Sequence, residues 1–130
     1  MFARLVSIML LLPVGTPASA ADWVKIRTKA ERTYYIDANS IVARGVFRDV
    51  WEKTVIDVPD STKVSVDVGR WRYDCAKRRS TMLYSGSYLK DATSVDGAGI
   101  PSSQRIWDDV RPASVAAAAL DFACSRKGVP

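Results

Sequence analysis

Histidine is absent from all 130 residues, and cysteine occurs only twice, at Cys75 and Cys124. Without histidine the chain lacks the commonest general base and the commonest metal ligand. Two distant cysteines leave no Cys-x-x-Cys pair for zinc or redox chemistry, so no metal site is expected. Ser85-Gly86-Ser87 lacks the spacing of a hydrolase nucleophile elbow. Val95-Asp96-Gly97-Ala98-Gly99-Ile100 has two glycines but no Lys-Ser/Thr partner, so it is not a phosphate loop. Asp108-Asp109 is an acidic pair, but neighbours on a strand point to opposite faces, and a solvated edge accounts for it better. These absences lead to the expectation that the chain is not an enzyme and takes no cofactor.

A long apolar run is missing too. Leu5 to Leu12 follows Arg4 and stops at Pro13, Gly15 and Pro17. It is about half of the ~20 residues that a membrane span needs. Ala18-Ser19-Ala20 supplies the small-x-small pattern of signal-peptidase cleavage. Residues 1–20 therefore read as a cleaved signal peptide and 21–130 as a single exported domain. Its expected location is the periplasm, the cell surface or the medium. No cysteine follows the apolar run, so no lipid anchor is expected, and the mature chain holds no transmembrane segment. Cleavage removes only Arg4 from the charge, taking the formal balance from +5 to +4. A moderately basic exported domain suits acidic partners such as glycans, headgroups or acidic protein patches, although solubility alone also explains this charge. Nucleic acid is not the expected partner of an exported chain.

What is present reads mostly as strands. Asp22–Lys29 places Val24, Ile26 and Thr28 on one face and Trp23, Lys25 and Arg27 on the other. A short joint leads to Thr33–Asp37, predicting a hairpin, and Asp37–Ser40 predicts a turn or one helical turn. Val46–Asp57 carries apolar groups on both faces, as a central strand would. Val58–Ser61 is turn-like. In Lys63–Cys75, Val64, Val66 and Val68 have the opposite parity to Trp71, Tyr73 and Cys75. A β-bulge at Gly69 would unite them, and a strand buried on both faces also fits. Ser80–Leu89 predicts a fifth strand with Met82, Tyr84 and Tyr88 on one face. Lys90–Ser103 reads as one long loop, and Gln104–Val110 as a short sixth strand at an edge.

The end of the chain is helical. Ser114 is a natural N-cap after Pro112. Val115, Ala118, Ala119 and Phe122 form one stripe, beside Leu120, Ala123 and Cys124. Arg126 and Lys127 are placed in the last turn, with Gly128 as its stop. Two cysteines in an exported chain are expected to pair, so Cys75–Cys124 would tie this helix to the sheet. The predicted fold is α+β: a five- or six-stranded antiparallel sheet with one C-terminal α-helix on one face, pinned by a disulfide.

Two candidate sites follow. Arg70, Arg72, Lys77, Arg78 and Arg79 surround Trp71 and Tyr73, a pattern that can hold anionic partners. Alternatively Trp71 and Tyr73 are core and the arginines a solvated face. A groove between helix and sheet, walled by Tyr84, Tyr88 and Trp107, would suit a small molecule.

The order of Trp23, Tyr34-Tyr35-Ile36-Asp37, Ser40-Ile41, Arg48 and Val50-Trp51-Glu52-Lys53, then Tyr73-Asp74-Cys75, Tyr84, Tyr88, Trp107, Val110, Pro112, Ser114 and Cys124, resembles the surface-adhesin protein E family of exported bacterial domains. The similarity spans essentially the whole mature chain. It implies an antiparallel sheet whose concave face holds a C-terminal helix through a disulfide. It also implies a non-catalytic binding module for host matrix or serum proteins, such as laminin and vitronectin, with haem as a further ligand of the family. The matching residues are framework and carry no binding site across. The rival expectations are a periplasmic structural or stress-related protein and a binder of haem-like or lipid-like small molecules in the helix–sheet groove.

Overall fold

The computed structural model describes residues 20–57, 65–89 and 93–130. The signal-peptide reading over 1–19, the turn at 58–61 and the start of the fourth predicted strand lie outside the described residues. Eight strands and one helix follow in order: β1 (Trp23–Lys29), β2 (Arg32–Asp37), β3 (Val42–Arg44), β4 (Phe47–Ile56), β5 (Val66–Asp74), β6 (Arg79–Tyr88), β7 (Ser94–Gly99), β8 (Asp108–Asp109) and α1 (Val115–Cys124). Six of them form an antiparallel path, β1-β2-β4-β5-β6-β7, while β3 pairs with β4 and β8 with β6. Between β2 and β3 the predicted turn is a single 3₁₀ turn, Ala38–Ser40, opened by the Asp37 carboxylate, which accepts from the Asn39 amide.

Register decides which side chains share a face. Each residue of β4 from Phe47 to Val55 faces its β5 partner without a break, so β5 simply alternates. No bulge forms at Gly69. Val66 and Val68 therefore share the outer face with Arg70 and Arg72, while Trp71 and Tyr73 point inward. Gly69 serves a different purpose: a Cβ there would come 2.8 Å from Trp71 Nε1, so the glycine makes room for the indole. The irregularity lies instead on β6. Arg70 faces Tyr84 and Trp71 faces Met82, leaving Leu83 as the extra residue. That extra residue puts Met82 inward and Tyr84 and Tyr88 outward, correcting the single face expected for the three. A similar shift at Ile26 in β1 leaves Trp23 and Lys25 outward and turns Arg27 inward.

Four further differences follow. The expected loop 90–103 contains β7, whose Ser94-Val95-Asp96-Gly97-Ala98-Gly99 sequence lacks β-formers beyond Val95. Gly97 is there because a Cβ would collide with Tyr84 Oη. The sixth predicted strand shrinks to Asp108–Asp109, because a 3₁₀ turn at Ser102–Gln104 precedes it. Helix α1 ends at Cys124, so Arg126 and Lys127 lie past its last turn; Arg126 stacks on the Phe122 ring at 3.5 Å. Gly128, with φ 66, is no helix stop but a turn that brings Val129 alongside Val42. Ala43 N donates to Val129 O at 2.7 Å, and Val129 N to Ile41 O at 2.9 Å.

The helix starts as its sequence dictates. Ser114 is extended, and its Oγ accepts from Ala117 N at 3.1 Å. Ala117, Ala119, Leu120 and Ala123 are buried, so the stripe that packs is the one centred on Leu120 and Ala123 rather than on Val115 and Phe122. Small alanines bring the helix close to Ile36, Ile41, Val50 and Tyr73 on the inner face of the sheet. Burying Leu120 stabilises by about 2 kcal/mol. The expected bond Cys75–Cys124 closes the arrangement with a Cα separation of 5.8 Å.

Candidate functional site

Alternation along β4 sends Phe47, Asp49, Trp51 and Lys53 to the outer face, opposite the helix. Asp49 is only 1% exposed. Three arginines converge on it. Arg72 donates from Nε to Oδ1 at 2.7 Å and from Nη2 to Oδ2 at 2.9 Å; Arg44 Nε donates to Oδ2 at 3.0 Å; Arg70 Nη2 stands 3.9 Å away. Burial alone would push the Asp49 carboxyl up, but the hydrogen bond and charge of Arg72, with Arg44 and Arg70 behind it, hold it below its ordinary value.

Aromatic rings interleave with these cations. Arg72 lies 5.8 Å from the Phe47 ring, Phe47 lies 5.6 Å from Trp107, and Arg79 sits 4.7 Å over Trp107. Trp51 and Tyr84 meet edge to face at 5.3 Å. Lys53 Nζ rests 4.5 Å over Trp23 and 5.3 Å from Tyr35. Asp74, likewise buried, accepts from Ala76 N and Lys77 N and from Arg79 Nε at 3.4 Å. The Lys77 amide bond, ahead of Arg79 and Ala76, keeps its carboxyl below the usual value. Six cations, Lys25, Arg44, Lys53, Arg70, Arg72 and Arg79, thus share a face on which Asp49 and Asp74 are buried and Asp109, opposite Arg79, is exposed, so the accessible charge is mainly positive.

The predicted basic patch is accordingly divided. Arg70, Arg72 and Arg79 come together on the outer face. Lys77 is exposed in the β5–β6 turn, and Arg78 crosses to Asp121 of α1 at 3.0 Å. Trp71 and Tyr73 are not their companions but lie on the inner face, as the core alternative held. Tyr84, Tyr88 and Trp107, expected as groove walls, belong to the outer face instead. The residue that sequence reasoning passed over is Asp49. Its signal was its shared parity with Phe47, Trp51 and Lys53 on a strand that carries apolar groups on both faces.

Helix α1 covers only part of the inner face. The remainder is an open cavity of about 1010 Å³ between the sheet, the start of α1 and the Asp108–Arg111 segment. Glu52, Trp71, Met82 and Tyr34 are among its lining residues. Glu52 Oε2 accepts from Tyr73 Oη at 2.5 Å. Burial raises the Glu52 carboxyl to about 7, with the Tyr73 bond pulling the other way. Burial, then the Glu52 charge and bond, push the Tyr73 phenol well above its ordinary value. Because the folded value exceeds the ordinary 4.5, the folded chain holds this proton more tightly than the unfolded chain. The stability it contributes is complete below about pH 4.5 and is lost as pH rises through about 7, a change of up to about 3 kcal/mol. Glu52→Gln is expected to flatten that decline. Parallel melting-temperature profiles of the two proteins from pH 5 to 8 would contradict it.

Residues 23–125 match the surface-adhesin protein E family. The chain belongs to this family. No curated protein matches it. Among solved structures, it is similar to protein E of Haemophilus influenzae in crystal form II, at 15% identity and a TM-score of 0.59, over 88% of this chain and 97% of that one. A structure of protein E from non-typeable Haemophilus influenzae agrees at 14% identity and a TM-score of 0.55, over 90% and 88%. At such identity these likenesses establish a shared protein E fold.

Proposed function

We propose that this protein E-family chain is an exported, non-catalytic adhesin domain, 21–130, that engages acidic segments of host proteins through the outer face of its sheet. Family membership supports the adhesin reading, and together with the signal-like residues 1–20 it supports export. The observation that carries the choice of surface is the burial of Asp49 and Asp74 among six cations, five of which rest on or beside aromatic rings or a buried acid. Rigid aromatics supply contact area at low entropic cost, and the cations between them supply charge complementarity. Arg72 is locked to Asp49 as framework. Lys53 and Arg70 are the cations beside the aromatics that are least committed to an acid, since Lys53 rests on rings and Arg70 reaches Asp49 only at 3.9 Å.

Poly-L-glutamate serves as a charge probe, and immobilised laminin and vitronectin as host ligands. The double variant Lys53→Ala/Arg70→Ala is expected to keep its melting temperature within a few degrees and to weaken binding about tenfold, as loss of two desolvated charges would. Wild-type binding should also weaken between 50 and 300 mM salt, the range over which the Debye length shrinks about 2.5-fold. Undiminished binding by the double variant, or binding indifferent to salt, would remove this surface from consideration.

A further inference from the structure

The chain is positive overall, at +5, yet the ionisable groups around the inner cavity are mainly acidic. Glu52 stands on the sheet floor. Asp67, bonded to Ser87 Oγ at 3.1 Å, lies nearby on β5, and Asp108 stands on the opposite wall, while Asp109 borders the cavity but is paired with Arg79 of the outer face. Arg111 is the cation at that wall, while Lys53 on the cavity's β4 border sends its ammonium to Trp23 and Tyr35 on the other side of the sheet. Between the acids the surface is apolar or aromatic, with Trp71 and Met82 on the floor and Val110 and Val115 beside the helix start. Gly69 leaves the space in which the Trp71 indole lies flat along the strand. A cavity of this size takes a drug-sized molecule, and apolar walls with a few convergent polar groups are the usual form of such sites.

The geometry points to this cavity as a binding site for a small organic cation, its aromatic or apolar body on Trp71 and Met82 and its ammonium against Glu52. The negative lean of the lining, inside a positive protein, selects this charge over an anion of the same shape. The site is separate from the outer-face reading and stands or falls without it. The groups around Glu52 are Tyr73 and Asp67 on β5, Tyr34 on β2, and Asp108 and Arg111 on the far wall; Arg27 on β1 is inward too but donates to Ala113 O at 2.9 Å, and the one ionisable side chain of α1, Asp121, is turned to Arg78. An ammonium beside Glu52 favours its ionised form, so binding below pH 7 displaces a proton and affinity rises with pH.

Tryptamine and indole-3-propionate share an indole and differ in charge, and the amine stays charged across the range used. In nuclear magnetic resonance titrations of the mature chain, tryptamine is expected to move the Trp71 indole N–H resonance saturably. Its affinity should be about eightfold greater at pH 8.5 than at pH 5.5, as a carboxyl titrating near 7 passes from mostly neutral to mostly ionised and its neutral form binds about tenfold more weakly. Glu52→Gln should bind about tenfold more weakly at pH 8.5 and lose the pH dependence. Asp67→Asn should weaken binding but keep it. Equal binding of the propionate, an unmoved Trp71 resonance, or an unchanged pH profile in Glu52→Gln would each overturn the assignment. Should Glu52→Gln fail to fold, the wild-type pH profile with the two ligands decides by itself.

Discussion

Asp49→Ala is expected to destabilise the fold by about 3 kcal/mol, a loss read from urea unfolding at pH 7. Breaking a buried ion pair from one side leaves charge uncompensated, and here the orphaned charge is Arg72, held in a bidentate bond to Asp49. Arg44 and Arg70 would then face Arg72 with no counter-charge between them. The figure sits at the lower end of the range for buried pairs because the arginine side chains are 24–55% exposed and reach water. Removing Arg72 together with Asp49 should cost less than removing Asp49 alone, since no charge is then stranded. Sign matters on the acid side. Asp49 is held below its ordinary value, so its contribution is present above about pH 4 and lost as pH falls further. A loss below about 1 kcal/mol for Asp49→Ala would mean that the arginines relax into solvent and the carboxylate organises nothing.

The double variant Cys75→Ser/Cys124→Ser is expected to lose about 3–4 kcal/mol, and reduction of the wild type should reproduce the effect. The bond closes a 49-residue separation, which constrains the unfolded chain. In the folded chain it fixes the last residue of α1. A ten-residue helix has little stability alone, so α1 depends on its alanine and leucine contacts with β1, β4 and β5 and on this bond. Hydrogen exchange should therefore rise first in α1 and later in β4 and β5. Equal melting of oxidised and reduced protein would show that packing alone holds the helix.

Much of this architecture was legible because its causes are local. Alternation in Phe47–Ile56, the strand character of Trp23–Lys29, the Asp37 and Ser114 caps, and two cysteines in a chain with export features are all short-range signals, although the shift at Ile26 that turns Arg27 inward was not among them. What escaped was tertiary. Gly69 looks like a bulge because glycine usually marks one, whereas here it yields space to an indole two residues on. The true extra residue, Leu83, is an ordinary strand former with nothing to distinguish it. β7 escaped because its Gly97 is dictated by Tyr84 Oη across the sheet rather than by strand propensity. The candidate site shows the same division. Arg70, Arg72 and Arg79 were identifiable by type, but their grouping around Asp49 and Asp74, and the exile of Tyr84, Tyr88 and Trp107 from the cavity, depend on register.

The pairing of Val129 with Val42, just beyond the disulfide, bears on mechanical load. A pull on the C-terminal end first meets two backbone hydrogen bonds at the rim of the sheet. Once these part, the tail from Ser125 to Pro130 can pay out only about 20 Å before the chain is taut at Cys124. From there the force passes through a covalent bond to the end of β5, next to the centre of the sheet, and α1 is never peeled from its free end. A domain that holds a host surface against flow would feel such a load as a short, elastic give followed by a hard stop.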